Sequence, residues 1–276
     1  MILERGRCSR LGMGSPHPNP SPQGRGARIE PSFGLPSPPG RGDGGEGSPL
    51  SVEQRRRVDG ALANIPVAVF AKPPIPGAVK TRLARRLGED AAALLARAFL
   101  RDTWALVRAL PWARPILAST SADLAAFDLG DDIEVWLQGE GDLGDRMERV
   151  ILRGLDSAPA AFVLGADVPG LLADHLDQAL ARLTSHDVVL GPSDDGGFHL
   201  LGASRLPRGA LAGLTWSRDD TRIRTEAKLA GLGLSIAHSP AWFDVDEPDD
   251  LLRLARHLAD DPRAAPHTRA ALAVIA

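Results

Sequence analysis

The sequence contains one cysteine, no tyrosine, only three lysines and no long apolar run. A single cysteine excludes a disulfide framework and any zinc site built from several cysteines. Because no stretch of about 18 apolar residues occurs, we expect no transmembrane helix, and the N-terminal region lacks the apolar segment of a signal peptide. The net charge of −3 argues against a nucleic-acid partner, which usually requires a basic field. We therefore expect a cytoplasmic protein without a membrane span.

The composition of the chain changes near residue 60. Residues 1–60 hold 12 glycines and 9 prolines and repeat the pattern PSPQGRG (20–26) as PSPPGRG (36–42). Such a segment buries too little apolar surface to offset the entropy of ordering. We expect either a disordered extension, whose arginines could bind a partner, or translated non-coding DNA upstream of a misassigned start. Residues 61–276 are predicted to form one domain, in which acidic side chains outnumber basic ones.

From residue 65 onward, short apolar runs alternate with amphipathic stretches. The early runs are apolar throughout, as expected for strands covered on both faces by helices, so the alternation predicts a mostly parallel α/β sandwich. Two runs around residues 188–190 and 198–201 lie too close for a helix between them, which predicts a mixed sheet. The predicted strands are 65–71, 115–119, 133–137, 161–166, 187–190, 198–203 and 234–238. The predicted helices are 89–110, 143–155, 173–184, 219–229 and 247–258.

Basic side chains are concentrated directly after the first predicted strand, at Lys72, Lys80 and Arg82. Ligands of open α/β sheets bind at the carboxyl ends of strands. Gly77 permits a close backbone approach, and the amides of the following helix would add attraction for an anion. The loop is not a P-loop, because Val79 rather than glycine precedes Lys80. We interpret it as a diphosphate site, the alternative being a proline-rich connection with solvated basic residues.

Acidic side chains occur at the end of a central predicted strand and before the last predicted helix. Asp167 follows the strand and should point into the ligand crevice, where it either caps a turn or holds Mg²⁺ or Mn²⁺, which prefer oxygen ligands. Asp244 and Asp246 would project to opposite faces of an extended segment, so only one should reach the site. Asp246 is at least as well placed to cap the helix that begins near Pro248. Asp244 is therefore the candidate for a second metal contact.

The segment Asp194-Asp195-Gly196-Gly197 joins the two strands of the predicted hairpin. An Asp-Gly turn is a common structural device, which makes an ordinary turn one interpretation. In the other interpretation, Gly196 and Gly197 let backbone amides approach a ligand, while Asp195 ligates metal or acts as the catalytic base.

Five sequence blocks together resemble the signature of a bacterial transferase family. The family is labelled radical-SAM/selenodomain-associated transferase, or arsenosugar-biosynthesis glycosyltransferase, and belongs to the nucleotide-diphospho-sugar transferase (GT-A) superfamily. The resemblance extends from about residue 65 to residue 258, nearly all of the predicted domain. The blocks are FAKPPIPGAVKTRL (70–83), GDLGDRM (141–147), GADVPGL (165–171), GPSDDGG (191–197) and DVDEPDDL (244–251).

The resemblance implies a GT-A-like (Rossmann-like) three-layer sandwich in which Asp167 holds a divalent metal under a nucleotide diphosphate. It also implies that Arg146 faces the ligand, whereas spacing alone allows an ordinary ion pair with Asp142. Trp216 forms either part of an acceptor-side wall or part of the core. The chain departs from the family pattern beside the metal-binding position, where Ala166 and Val168 replace the Thr and Ser that are often found there.

The predicted function is sugar transfer from a nucleotide-diphospho-sugar donor to a small-molecule acceptor. A metal and the basic loop would stabilise the charge of the leaving diphosphate. One alternative is a nucleotidyltransferase, since the same pattern resembles 2-phospholactate guanylyltransferase and the molybdenum-cofactor guanylyltransferase. These enzymes use a nucleoside triphosphate and release pyrophosphate. The other alternative is a nucleotide-binding module without catalytic activity.

Overall fold

The structure, a computed structural model, describes residues 64–130 and 132–275. The predicted extension 1–60 and its boundary lie outside these residues. Seven strands form one sheet in the order β3-β2-β1-β4-β6-β5-β7. They are β1 (Ile65–Ala71), β2 (Ala113–Ser119), β3 (Glu134–Leu137), β4 (Ala161–Gly165), β5 (Val188–Pro192), β6 (Phe198–Ala203) and β7 (Ile236–His238). The two pairings made by β6 are antiparallel and the other four are parallel, which confirms the predicted mixed sheet.

The described residues also form seven helices, five of which correspond to predicted ones. They are α1 (Thr81–Leu87), α2 (Glu89–Ala109), α3 (Leu143–Leu155), α4 (Ala173–Arg182), α5 (Thr221–Gly231), α6 (Pro248–Asp260) and α7 (Pro266–Ile275). The helices α1 and α7 were not predicted. Arg82, which was expected in the connection between β1 and the next helix, lies inside α1. None of the helices in the two described ranges is both long and apolar enough to cross a bilayer.

Helices cover both faces of the sheet, so the fold is a three-layer sandwich. On one face, Val67 and Val69 of β1 belong to the same buried cluster as Leu100 of α2. On the other face, Ala68 of β1 packs in a cluster with Ile151 of α3. Because both faces are occupied, the carboxyl edge of the parallel strands is the natural place for a ligand.

The start of α7 depends on a side chain from α2. The carboxylate of Asp102, which is only 7% exposed, accepts hydrogen bonds from the amides of His267 (3.0 Å) and Thr268 (2.8 Å). It also accepts one from the Thr268 hydroxyl at 2.6 Å. The first amides of a helix have no partner within the helix, and here a residue 165 positions earlier in the chain satisfies two of them.

The hairpin of β5 and β6 contains an irregularity close to its turn. The pairing is regular from Val188 to Gly191 and then shifts by one residue, so that Pro192 pairs with Phe198. The extra residue on β6 is His199, which is buried and whose Nδ1 lies 3.2 Å from the Pro192 carbonyl oxygen. A bulge of this kind redirects the side chains that follow it, so it helps to set the direction in which the turn projects.

We expect Gly202→Ala to lower the free energy of unfolding by about 1–3 kcal/mol, because overpacking a buried site forces strain. A methyl group on Gly202 would overlap the ring of Phe162 and approach Val189. The matched control is Gly231→Ala at the end of α5, where a Cβ would have no neighbour within 4 Å. The control should leave the stability unchanged or raise it by up to about 1 kcal/mol. Equal effects of the two substitutions in chemical denaturation would contradict the packing described here.

Candidate functional site

A cleft of about 920 Å³ opens at the carboxyl edge of the sheet. Its walls include Ala71 and Lys72 at the end of β1, and Ala166 and Asp167 at the end of β4. Side chains of α3 and of the β5–β6 turn complete it. Eight residues that the sequence analysis assigned to the site line this cleft: Lys72, Lys80, Arg82, Arg146, Asp167, Asp195, Gly197 and Asp244.

Two predicted site residues, Gly77 and Gly196, do not line the cleft. Gly77 has a φ of 77°, and a Cβ there would lie 3.1 Å from the carboxylate of Glu89. Gly196 has a φ of 85°, and a Cβ there would overlap the backbone of Asp219. Left-handed backbone and close approach both require glycine. The two glycines therefore shape the backbone of the loops that border the cleft.

The amides of Gly196 and Gly197 are also used inside the turn. The Gly196 amide donates to the carbonyl oxygen of Ser193 (3.2 Å), and the Gly197 amide donates to Oδ1 of Asp195 (2.9 Å). In this arrangement the turn itself satisfies both amides, so a ligand contact by either amide stays a prediction. The carboxylate of Asp195 still lines the cleft.

Three carboxylates meet at the floor of the cleft. Oxygens of Asp167, Asp244 and Asp246 all lie within 4.8 Å of one another. The expectation that only one of the last two reaches the site is wrong, because residues 244–246 do not form a regular strand. The amide of Val245 instead donates to the carbonyl oxygen of Asp167 at 3.1 Å. The cap of α6 is Glu247, which leaves the Asp246 side chain free for the cluster.

The ammonium group of Lys80 lies among these carboxylates. Its Nζ donates to Oδ2 of Asp167 at 2.8 Å and to Oδ1 of Asp246 at 2.5 Å, and the Lys80 side chain is only 10% exposed. Burial by itself would lower the pKa of Lys80, but the two negative charges outweigh it and the pKa is raised. Burial would likewise raise the pKa of Asp167, but the attraction of Lys80 prevails and the pKa is lowered.

The backbone of Lys80 is held in a left-handed conformation, with φ 45° and ψ 46°, at the N-cap of α1. For a residue other than glycine this conformation costs about 1–2 kcal/mol. No side-chain hydrogen bond caps the helix at this residue, whose side chain forms ion pairs with Asp167 and Asp246 instead. The geometry of the loop after β1 is thus coupled to the acidic cluster.

The pKa of Asp244 is strongly raised. Burial, followed by the negative charges of Asp167, Asp195 and Asp246, raises the pKa of Asp244 to about 7. Two of the carboxylates share Lys80, whereas Asp244 lacks an ion pair in the described part of the chain. The cluster therefore retains negative charge that a further cation would neutralise.

The donor set fits a divalent metal ion. Mg²⁺ and Mn²⁺ take oxygen ligands at about 2.0–2.2 Å, and three oxygens within 4.8 Å of one another can be reached by one such ion. Asp246 belongs to this set, although the sequence analysis favoured a capping role for it. The sequence did contain a signal for this role of Asp246, because Asp246 lies in the same DVDEPDDL block as Asp244.

Asp195 is held by its own turn and presents one free oxygen. Its Oδ1 accepts from the Ser193 hydroxyl at 2.6 Å and from the Gly197 amide, whereas Oδ2 has no hydrogen-bond partner in the described residues. The neighbouring Asp194 instead pairs with Arg253 of α6. The two acids of the DDGG segment thus have different surroundings, and only Asp195 faces the cleft.

The arginines around the cleft differ in the contacts that they make with other protein groups. Arg82 lies 3.3 Å from Glu247, with both side chains largely exposed. Arg146 donates from Nε to the Gly141 carbonyl oxygen at 3.0 Å and makes no ion pair with Asp142. Asp142 caps α3 instead, accepting from the amide of Asp145. The terminal nitrogens of Arg146 therefore remain available on the cleft side of α3.

Two aromatic side chains form one wall of the cleft. The rings of Phe198 and Trp216 meet edge to face, with centroids 6.3 Å apart. Trp216 also packs against Gly144 of α3, where a Cβ would lie 2.5 Å from the indole. The two interpretations of Trp216 are thus compatible, because the side chain packs against a helix and lines the cleft.

A buried glutamine, which the sequence analysis did not single out, also lines the cleft. Gln138 is 4% exposed and follows β3. Its Nε2 donates to the carbonyl oxygen of Ala118 at 2.8 Å and lies 3.5 Å from that of Ala71. It thereby joins the ends of β2 and β1 beneath the basic loop. A lone glutamine carries no pattern by which the sequence could have revealed this position.

Comparisons with known proteins agree with the fold. Residues 103–218 match the family described as "Uncharacterized protein conserved in bacteria" (DUF2064). A candidate nucleotide-diphospho-sugar transferase from Desulfovibrio desulfuricans G20 is 29% identical, with 76% of this chain and 96% of that chain covered and a TM-score of 0.69. No curated protein sequence matches the chain.

A second solved structure shows the same fold at lower similarity. It is a nucleotidyl transferase from Methanothermobacter, 15% identical, with 72% of this chain and all of that chain covered and a TM-score of 0.50. At this identity the likeness concerns the fold alone. Together with the sheet order, the comparisons confirm the predicted GT-A-like fold.

We expect Asp244→Asn to stabilise the metal-free protein increasingly as the pH rises. The folded-state pKa of Asp244 is about 7, above its ordinary value of 3.8. The folded protein therefore holds this proton more tightly than the unfolded chain, and wild-type stability decreases as the pH rises between these values. From about pH 5 to about pH 8, the variant should gain about 1–2 kcal/mol over the wild type, after allowance for solvent screening.

The matched control for this measurement is Asp187→Asn. Hydrogen bonds from Arg205 and Ser235 lower the pKa of Asp187, so this acid stays ionised over the whole range. Its substitution should change the free energy of unfolding by an amount that does not depend on pH between about 5 and 8. Denaturant titrations in EDTA at several pH values measure both differences. A constant difference between Asp244→Asn and the wild type would contradict the raised pKa.

Proposed function

We propose that the protein is a metal-dependent transferase that takes a sugar from a nucleotide-diphospho-sugar donor. One observation carries this proposal: a cluster of three carboxylates and a set of basic side chains line the same cleft at the carboxyl edge of the sheet. A diphosphate bridged by a divalent ion matches both kinds of charge. The Desulfovibrio protein, a candidate nucleotide-diphospho-sugar transferase, supports a transferase acting on a nucleotide-linked substrate.

The basic side chains would bind the diphosphate from two sides. Lys72 and Arg82 extend from the segment that follows β1, and Arg146 extends from α3. An arginine offers two parallel donors to a phosphoryl group, which adds orientation to the charge attraction. Lys80 also belongs to this set in the sequence prediction, but its ammonium is engaged with Asp167 and Asp246.

The residues that would hold Mg²⁺ or Mn²⁺ are Asp167, Asp244 and Asp246. When bound, such an ion supplies Lewis-acid stabilisation of the charge that develops on the departing diphosphate. The carboxylates contribute a fixed set of oxygens at the floor of the cleft, which hold the ion where the phosphates are expected.

Asp195 is the proposed general base. Its free Oδ2 would accept the proton of the acceptor hydroxyl, whose oxygen attacks the anomeric carbon while the bond from that carbon to the diphosphate breaks. The Ser193 hydroxyl and the Gly197 amide hold Oδ1 and so fix the direction of the free oxygen. Positioned bases contribute typically 10²–10⁴-fold to a rate. Phe198 and Trp216 would provide an apolar wall for the sugar or the acceptor.

The finer parts of the prediction remain proposals. These are the identity of the metal, the cytoplasmic location, the small-molecule acceptor and the association with the radical-SAM/selenodomain family. Nucleotidyl transfer differs from sugar transfer in its products. A nucleoside triphosphate and a sugar phosphate would yield pyrophosphate, whereas sugar transfer releases a nucleoside diphosphate. Release of pyrophosphate without sugar transfer would overturn the proposal.

We expect Asp167→Asn to remove the metal-dependent part of donor binding. A screen of nucleotides and nucleotide sugars by thermal shift, with and without Mn²⁺, should find a donor that stabilises the wild type. At a hundredfold excess over Kd, the stabilisation is about 2.7 kcal/mol. In the variant, adding Mn²⁺ should no longer increase the shift, because the central ligand of the cluster is neutral. An undiminished Mn²⁺ effect would contradict the assignment of Asp167.

We expect Asp195→Asn to lower the rate of transfer by about 10²–10⁴-fold, since a positioned base is removed. Donor affinity, measured by the same thermal shift, should stay unchanged because the amide retains the turn. The matched control is Asp194→Asn, which changes the adjacent acid, whose side chain pairs with Arg253 outside the cleft. The control should keep at least about half of the rate. Equal losses in both variants would mean that the turn, and not the carboxylate of Asp195, matters.

A further inference from the structure

Lys80 differs from the other basic residues of the cleft in what it contacts. The sequence predicts it to be a phosphate ligand, together with Lys72 and Arg82. Its Nζ instead lies within hydrogen-bonding distance of oxygens of Asp167 and Asp246, two of the three acids in the cluster. It is also the most deeply placed of the three, with a side chain that is 10% exposed, compared with 61% for Arg82.

We propose that Lys80 is the internal counter-ion of the metal site: its ammonium offsets part of the negative charge of the acidic cluster in the metal-free protein, and a divalent ion has to displace it. This inference rests on the proposed function, because it takes the cluster to be the metal site. It adds that the lysine and the metal ion compete for the same oxygens.

The first argument is geometric. The ammonium lies 2.8 Å from Oδ2 of Asp167 and 2.5 Å from Oδ1 of Asp246. A divalent ion bound to these oxygens would need to lie about 2.0–2.2 Å from each. Two cations that share two ligand oxygens at these distances would be close neighbours, and their like charges would repel each other. Only one of them can occupy the cluster at a time.

The second argument concerns charge. Three carboxylates and one ammonium leave the cluster negative, so an ion with two positive charges neutralises it better than the lysine does. The lysine is nevertheless tethered and always present, whereas the metal ion has to be captured from solution. The metal-free state is thereby stabilised, and metal binding is weakened by the free energy of the ion pairs that it breaks.

The third argument concerns the fate of the displaced ammonium. Lys80 stands at the start of α1, within the basic segment that also supplies Lys72 and Arg82 to the cleft. A diphosphate bound there would offer the released ammonium a new anionic partner. Metal and nucleotide would then bind cooperatively, because each ligand favours the displaced position of Lys80. This reconciles the predicted phosphate contact with the observed contact to the acids.

The test is the affinity for Mn²⁺ in the absence of nucleotide, measured by calorimetric titration for the wild type and for Lys80→Met. Removal of the competing ammonium should tighten Mn²⁺ binding by at least about tenfold, the equivalent of one pKa unit of interaction. The matched control is Lys72→Met. Lys72 belongs to the same basic segment and lines the cleft, but its ammonium makes no hydrogen bond to the three acids. The control should change the affinity by less than about threefold.

The outcomes separate this inference from the proposed function. If the wild type binds Mn²⁺ through Asp167 but Lys80→Met binds it equally or less tightly, the counter-ion role is wrong and the metal site stands. If neither the wild type nor the lysine variants bind Mn²⁺, the metal site itself is wrong, and the counter-ion role is overturned with it.

A second variant and a second readout guard against loss of folding. Lys80→Gly removes the ammonium and accepts the left-handed backbone at φ 45° without strain. Both variants should unfold at a lower temperature than the wild type in EDTA, because the acids lose their partner. Mn²⁺ should raise their unfolding temperature by more than it raises that of the wild type. A smaller rise in both variants would overturn the proposal.

Discussion

The contact of one largely buried ammonium group with two half-exposed carboxylates organises the functional edge of this protein. It joins three parts of the chain that are far apart in sequence, since Lys80 is 87 residues from Asp167 and 166 from Asp246. A buried charge is tolerated only when it is paired, because the penalty of removing it from water is large. Each partner therefore constrains the others: the loop after β1 adopts a strained backbone, and the segment before α6 abandons regular strand geometry.

Much of the fold could be predicted because local patterns determine it. The apolar runs of β1 and β4 are bounded by residues that end strands, and five helices carry a clear amphipathic pattern. The two missed helices are of another kind. The seven residues of α1 are too few for a periodic signal. The amides at the start of α7 are satisfied by Asp102, which is distant in sequence and which no local pattern could reveal.

The location of the site could be predicted from the sequence, but only some of the contacts between its side chains could. Strand ends identify the edge where Lys72, Asp167 and Asp195 gather, because the carboxyl ends of parallel strands meet there. Which side chains of the site pair with one another does not follow from their positions in the sequence. The prediction that Asp244 and Asp246 point in opposite directions assumed an extended strand. It failed because the Val245 amide donates to the carbonyl oxygen of Asp167 and the segment is not a regular strand. The close neighbour of Gly196, Asp219, was equally hidden from the sequence, since a distant loop supplies it.

The bulge at His199 has a consequence for how this architecture can diversify. Successive residues of a strand point to opposite faces, so a slip of the β5–β6 pairing by one residue would invert the side chains of the slipped strand. The register shift between Gly191 and Pro192 already uses one such step to bring the turn onto the rim. The outward side chains of this turn can therefore change without disturbing the sheet, whereas a change in the pairing register cannot.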